Sequence, residues 1–174
     1  MQSTLEDLKN RRSIRAYKPE QIKDEELDAI LEAGTWAASG AGAQSAVIVV
    51  VQDKALISEL EGLNARVLNN PQAKPFYGAP TVLAVLVDQT KPTPLEDGSL
   101  VIGNLMLAAS AIGVGSCWIH RAKQVFEFEE GKGLLKKWGL SEHYVGVGFC
   151  ILGYAAGDPP KPADRKAGYI IKAR

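Results

Sequence analysis

Residues 100–119 run for twenty positions without a charged side chain, the length of apolar chain that spans a bilayer. Asn104, Ser110 and Ser116 interrupt the run with polar groups, and Gly113-Val114-Gly115 reads as a break between a helix and a strand. A membrane span is rejected on those grounds. A helix apolar on every side is instead buried in a large core or shared with a second chain. The stretch therefore predicts a central helix over 100–112 and a short strand over 115–119.

The remaining pattern alternates helices with apolar strands. A short amphipathic helix is expected over 3–10. Asp24-Glu25-Glu26 places acids in the first turn of a second helix whose stripe is Leu27, Ile30, Leu31 and Trp36. Residues 46–51 and 81–87 are continuous β-branched runs, read as strands buried on both faces. A helix over 54–68 carries Leu56, Leu60, Leu63 and Val67 and stops at Asn69-Asn70-Pro71. A helix over 129–138, a strand over 144–152 and a short strand at Tyr169-Ile170-Ile171 complete the pattern. Such alternation predicts one three-layer α/β/α domain over 1–174, of the α/β or the α+β class.

Composition narrows the partners. With 20 Lys+Arg against 20 Asp+Glu, the chain lacks the basic balance that nucleic-acid binding needs. Met1-Gln2-Ser3-Thr4-Leu5-Glu6-Asp7 carries no secretion signal, so a cytoplasmic location is expected. Cys117 and Cys150 sit in apolar runs and read as buried free thiols.

Against that neutral background, Arg11-Arg12-Ser13-Ile14-Arg15-Ala16-Tyr17 concentrates three guanidiniums in five residues. Arginine's fixed fork of donors matches two phosphate oxygens at once. Two readings stay open: the cluster closes the carbonyl end of the first helix, or it binds a small anion. The loop Ala37-Ala38-Ser39-Gly40-Ala41-Gly42-Ala43-Gln44-Ser45 is built of small residues that let a ligand approach the backbone.

Other constellations carry less. Cys117, His120, His143 and Cys150 form a superficial zinc set, but in an extended strand residues three apart point to opposite faces. Glu130-Gly131-Lys132-Gly133 lacks the spacing and hydroxyl of a phosphate loop, and Gly113-Val114-Gly115-Ser116 precedes a strand instead of following one. No nucleophile triad or carboxylate pair stands out. A protein so poor in its own acid, base and nucleophile chemistry can work through a cofactor that it binds and tunes.

Several segments, in order, resemble the FMN-dependent nitroreductase family. The Arg11 to Tyr17 segment is similar to its Arg-Arg-Ser-x-Arg-x-Phe opening, and Ala38-Ser39-Gly40 with Gln44 to its Pro-Ser-x-x-Asn-x-Gln-Pro-Trp loop. Phe76-Tyr77-Gly78-Ala79-Pro80-Thr81-Val82, Asn104 through Gly113-Val114-Gly115-Ser116-Cys117-Trp118-Ile119, and Leu152-Gly153-Tyr154 with Arg165-Lys166 resemble the later signatures. The resemblance implies a mixed central sheet flanked by helices in an intertwined homodimer, with FMN at the subunit interface. It also implies a C-terminal tail reaching across the partner.

By the same resemblance, Arg11 and Ser13 hold the FMN phosphate and ribityl end, Arg12 adds a contact, and Arg165 with Lys166 closes on the phosphate from the tail. Arg15 reaches the pyrimidine edge, where a cation stabilises the reduced flavin. Ala38, Ser39, Gly40 and Gly42 line the ring from the other subunit. Ile119-His120-Arg121 lies along the flavin, with the backbone N–H near His120 offered to N5. The implied activity is ping-pong: NADH or NADPH reduces the flavin and leaves, and a nitro compound, quinone or related acceptor then takes two electrons.

The loop departs from the family pattern at Ala38, Gly42, Ser45 and Ala46, which implies either looser flavin binding or a wider substrate mouth. Two alternatives stand beside the main expectation. One is an ene reductase or dehalogenase of the same family, types that usually carry lid insertions this chain lacks. The other is a non-catalytic dimer binding FMN or another phosphorylated ligand.

Overall fold

The structure, a computed structural model, describes residues 4–173; Ser3, the expected start of the first helix, and Arg174 lie outside the described residues. The uncharged stretch forms the C-terminal part of helix α4 (Pro94–Ala111) and all of strand β3 (Gly115–Ile119). Pro94 opens α4, where a missing N–H costs nothing. Val101, Ile102, Leu105 and Ala109 enter the core, whereas Leu100, Gly103, Ala111 and Ile112 are exposed. No helix among the described residues is long and apolar enough to cross a membrane.

The other elements are α1 (Thr4–Asn10), α2 (Asp24–Thr35), β1 (Ala46–Val51), α3 (Lys54–Val67), β2 (Thr81–Asp88), α5 (Ala122–Glu127), α6 (Glu129–Lys137) and β4 (Tyr144–Gly153). The strands form one sheet in the order β1-β2-β4-β3. On one face, Leu60, Leu63, Val125, Phe126, Leu134 and Leu135 of α3, α5 and α6 pack against Val82, Ala84, Phe149 and Ile151. On the other, Leu27, Ile30, Ile102 and Leu105 of α2 and α4 pack against Leu83, Val85, Cys150 and Leu152. Alternate residues of β2 and β4 thus feed two cores, and the three expected layers follow.

Four expectations are corrected. All three ladders are antiparallel where a mixed sheet is implied, and parallel pairing among the described residues is confined to the isolated bridge Ser13 to Ser116. β1 is not buried on both faces: only Val51 is buried, because β1 is an edge strand paired with β2 alone. Trp36 leaves the α2 stripe, being 79% exposed just beyond the helix end at Thr35. Residues 169–171 form no strand; they are exposed and pair with none of the four strands of the sheet. Helix α5, unanticipated, follows β3 after His120 and Arg121, with no glycine or proline to mark the turn.

Candidate active site

The arginine cluster lies in an extended strap along the sheet's β3 edge. Ile14 N–H donates to Ser116 O at 2.9 Å, Lys18 N–H to Tyr154 O at 2.9 Å, and Ala156 N–H to Ala16 O at 3.0 Å. Tyr17 locks the strap by donating its hydroxyl to Ile14 O at 2.8 Å, and burial pushes its phenol pKa upward, which keeps it a neutral donor.

The two neighbouring arginines do different work. Arg12 Nη1 donates to Lys9 O at 2.7 Å and Arg11 O at 2.8 Å, so it closes the carbonyl end of α1. Arg11 Nη1 is buried and meets no acceptor among the described residues. A buried cationic donor without a partner is costly, and no carboxylate of the described residues forms a salt bridge with it. Its charge is felt at Cys150, where burial nevertheless dominates and drives the thiol pKa up. Ser13 is half-buried on the strap and Arg15 exposed.

The small-residue loop contains a 3-10 turn, Gly40–Gly42. Ala41, Gly42 and Gln44 have φ of 52°, 66° and 46°, the left-handed region that costs an L side chain energy. Asp97, in the first turns of α4, holds the loop. Its Oδ1 accepts from Gly40 N–H at 2.9 Å and from the Thr93 hydroxyl at 2.9 Å, and its Oδ2 accepts from the Ser45 hydroxyl at 2.7 Å. Ala38, Ser39, Gln44, Ser45 and Asp97, with the apolar edge of β1, line a cavity of about 360 Å³.

The Gly40 N–H, and then the Ser45 and Thr93 hydroxyls, hold the Asp97 carboxyl below the usual carboxylate range against the opposing effect of burial. Its pKa is depressed in the folded state, so its contribution to stability is complete above the unfolded value of about 3.9 and is lost as pH falls through the folded value. Unfolding free energies measured across pH 2–6 (about the range around that value) should show an acid-side decline that flattens in Asp97→Asn.

The third segment is fixed from α3. Asn64, fully buried, donates from Nδ2 to His120 O at 2.8 Å and accepts from Arg121 Nε at 3.0 Å. Arg121 has φ 77°, a strained conformation that this two-point clamp over-determines. Ile119 is buried at the end of β3, and the His120 side chain is exposed.

The tail does not join the cluster within one chain. Arg165 Nη2 donates to Ala163 O at 2.6 Å and Lys166 lies 5.4 Å from the Tyr169 ring centroid, so both engage the tail itself. The two cysteines are buried in cores on opposite faces of the sheet. Asp97 and Asn64 were missed from sequence. Asp97 passes for an ordinary acid at a helix start, and the one signal from Asn64 is a polar residue between the buried Leu63 and Ala65.

The Nitroreductase family model matches residues 8–154. A relative from Archaeoglobus fulgidus, whose name pairs NADH dehydrogenase with NAD(P)H nitroreductase, is 30% identical over 97% of this chain and 91% of its own. The crystal structure of a nitroreductase with bound FMN from Bacteroides fragilis superimposes with a TM-score of 0.90 at 30% identity, covering 100% of both chains. Another nitroreductase with bound FMN, from Desulfitobacterium hafniense, gives 0.83 at 29% identity over 99% of this chain and 100% of its own. With its layered fold, its clamped loops and this match along most of its length, the chain belongs to the Nitroreductase family.

Proposed function

We propose that the chain is an FMN-dependent NAD(P)H oxidoreductase that reduces nitro compounds, quinones or related acceptors by two electrons in a ping-pong cycle. The observation that carries this reading is Arg11 Nη1, a buried cationic donor with no acceptor among the described residues, on the strap where the family resemblance puts the flavin phosphate. A phosphate oxygen is the partner that geometry and charge call for. Support also comes from two relatives of similar fold that hold FMN.

Ser13, half-buried where the extended strap begins beside Ser116, adds a hydroxyl donor close in sequence to Arg11. Arg15, exposed and without a salt bridge among the described residues, is free to stabilise negative charge on the pyrimidine edge. Asn64 holds the 119–121 backbone rigid so that an N–H can be offered to the flavin at a fixed place. Bound FMN supplies the two-electron chemistry that the chain's own side chains lack.

Two bare surfaces support the homodimer. Leu5 and Leu8 on α1, with Leu100 on α4 and Ile112 just past its end, form exposed apolar faces of the kind that marks an association site. Tyr169, Ile170 and Ile171, also exposed, supply a tail able to reach a second copy and bring Arg165 and Lys166 to its phosphate. A cytoplasmic, reducing setting suits the two free thiols.

The test is the absorbance spectrum of the purified protein, followed by anaerobic titration with NADH and with NADPH and then by a quinone and nitroarene panel. A yellow dimer, bleached by the nucleotide and recoloured by an acceptor, is the expected outcome. Protein that takes up no FMN removes the proposal, and bound flavin that neither nucleotide reduces makes the chain a binding protein.

A further inference from the structure

Asp97 is 2% exposed and is paired with no cation among the described residues. A buried carboxylate survives only where hydrogen-bond donors replace its water. Of its three donor residues, one is Thr93 of its own helix start; the other two, Gly40 through its N–H and Ser45 through its hydroxyl, lie 57 and 52 residues away in sequence. This is therefore no helix cap. A capping acid accepts from the first N–H groups of its own helix, whereas Asp97 fastens both ends of the 40–45 turn.

The turn depends on that fastening. Ala41 and Gln44 are left-handed non-glycine residues, and such conformations persist only where surrounding bonds impose them. Inside the turn the side-chain support is Gln44 N–H donating to Ser39 Oγ at 3.1 Å. Gly40 is dictated by the same arrangement, since a Cβ there would sit 2.0 Å from Thr93 Oγ1. Carboxylate and closed loop thus require each other: opening the loop strips Asp97 of two donors, and removing Asp97 frees both ends of the loop.

We propose that Asp97 is the positioning residue of the flavin-lining loop, holding Ser39 to Ser45 in the binding shape before the cofactor arrives. The inference rests on the reading of Ala38, Ser39, Gly40 and Gly42 as ring-lining. Its physical content is preorganisation: a loop already ordered loses less entropy on binding than one ordered by the ligand. Asp97 touches no reacting atom and acts through the backbone of Gly40 and Ser45.

The experiment compares Asp97→Ala, Asp97→Asn, Ser45→Ala and Thr93→Val for FMN dissociation constant, for the melting temperature of the FMN-free protein, and for elastase cleavage within 38–46. Asp97→Ala should weaken FMN binding by about tenfold or more, as expected for loss of a charge-assisted anchor. Asp97→Asn should recover most of that loss, because the retained Oδ1 still accepts from Gly40. Ser45→Ala should fall between them and keeps the test alive if Asp97→Ala does not fold. Thr93→Val, sparing both loop donors, should hold FMN affinity within about twofold.

Equal FMN affinity across the set, with melting temperature alone displaced, overturns the proposal. If the unsubstituted chain binds no FMN, the functional reading fails, and elastase decides the clasp by itself. Rapid cutting in Asp97→Ala and Ser45→Ala beside a resistant parent supports it, and identical cutting overturns it.

Discussion

Arg11→Ala is expected to cost about 1.5–3 kcal/mol of FMN binding, the range for a lost hydrogen bond to a charged group, or roughly tenfold to a hundredfold in the dissociation constant. The same substitution should leave the FMN-free protein as stable as its parent or slightly more so. Arg11 Nη1 has no acceptor among the described residues, so truncation removes a buried donor that none of them satisfies. Opposite signs on the two measurements separate a ligand-binding cation from a structural one. Arg12→Ala supplies the contrast: it deletes two bonds to carbonyls at the end of α1 and should act on that helix before it acts on the cofactor. Arg11→Lys keeps the charge but loses the fork that matches two oxygens, and should fall between parent and alanine. Fluorescence quenching of added FMN reads all three, and unchanged affinity in Arg11→Ala would take Arg11 out of the site.

The fold was legible where burial is symmetric. The β2 run is apolar because helices cover both faces of a central strand, and α4 declares itself by length. β1 carries the same kind of run yet sits at the sheet edge, since apolar composition records what a residue will eventually touch and not which strand supplies it. Trp36 misled through spacing alone: the helical period continues past Thr35, but the helix does not. Short α5 has no sequence boundary because the chain turns at Arg121, a non-glycine held left-handed by a side chain from α3.

The same limit divides the site. Arg11 could be singled out because clustered charge is a local signal, and the glycine-rich loop because small residues are. Asp97 and Asn64 act across more than fifty residues of sequence, and each looks locally like an ordinary helical polar residue. Their importance lies in what they accept and donate after folding, which no local pattern encodes.

Gly131 and Gly133, two residues apart in α6, should respond to alanine with opposite signs. A Cβ on Gly131 would lie 2.1 Å from Val125 O and 2.7 Å from Phe126 Cα, both backbone atoms of α5. Neither can move without shifting Phe126, whose ring packs on Trp138 at 5.8 Å and on Phe149 at 5.9 Å between centroids. Overpacking of this kind costs about 1–3 kcal/mol and sometimes more, so Gly131→Ala should lower the melting temperature by roughly 2–12 °C for a chain of this size. A Cβ on Gly133 meets nothing within 4 Å, and alanine there relieves a mid-helix glycine penalty of about 1 kcal/mol, raising the transition by roughly 2–4 °C. Scanning calorimetry of the two variants beside the parent reads both shifts, and a stable Gly131→Ala would show that α5 and α6 do not meet at that glycine. Because α5 starts at the residue after Arg121, the destabilised variant should also loosen the 119–121 segment, and its flavin affinity should fall although the substitution touches no part of the site.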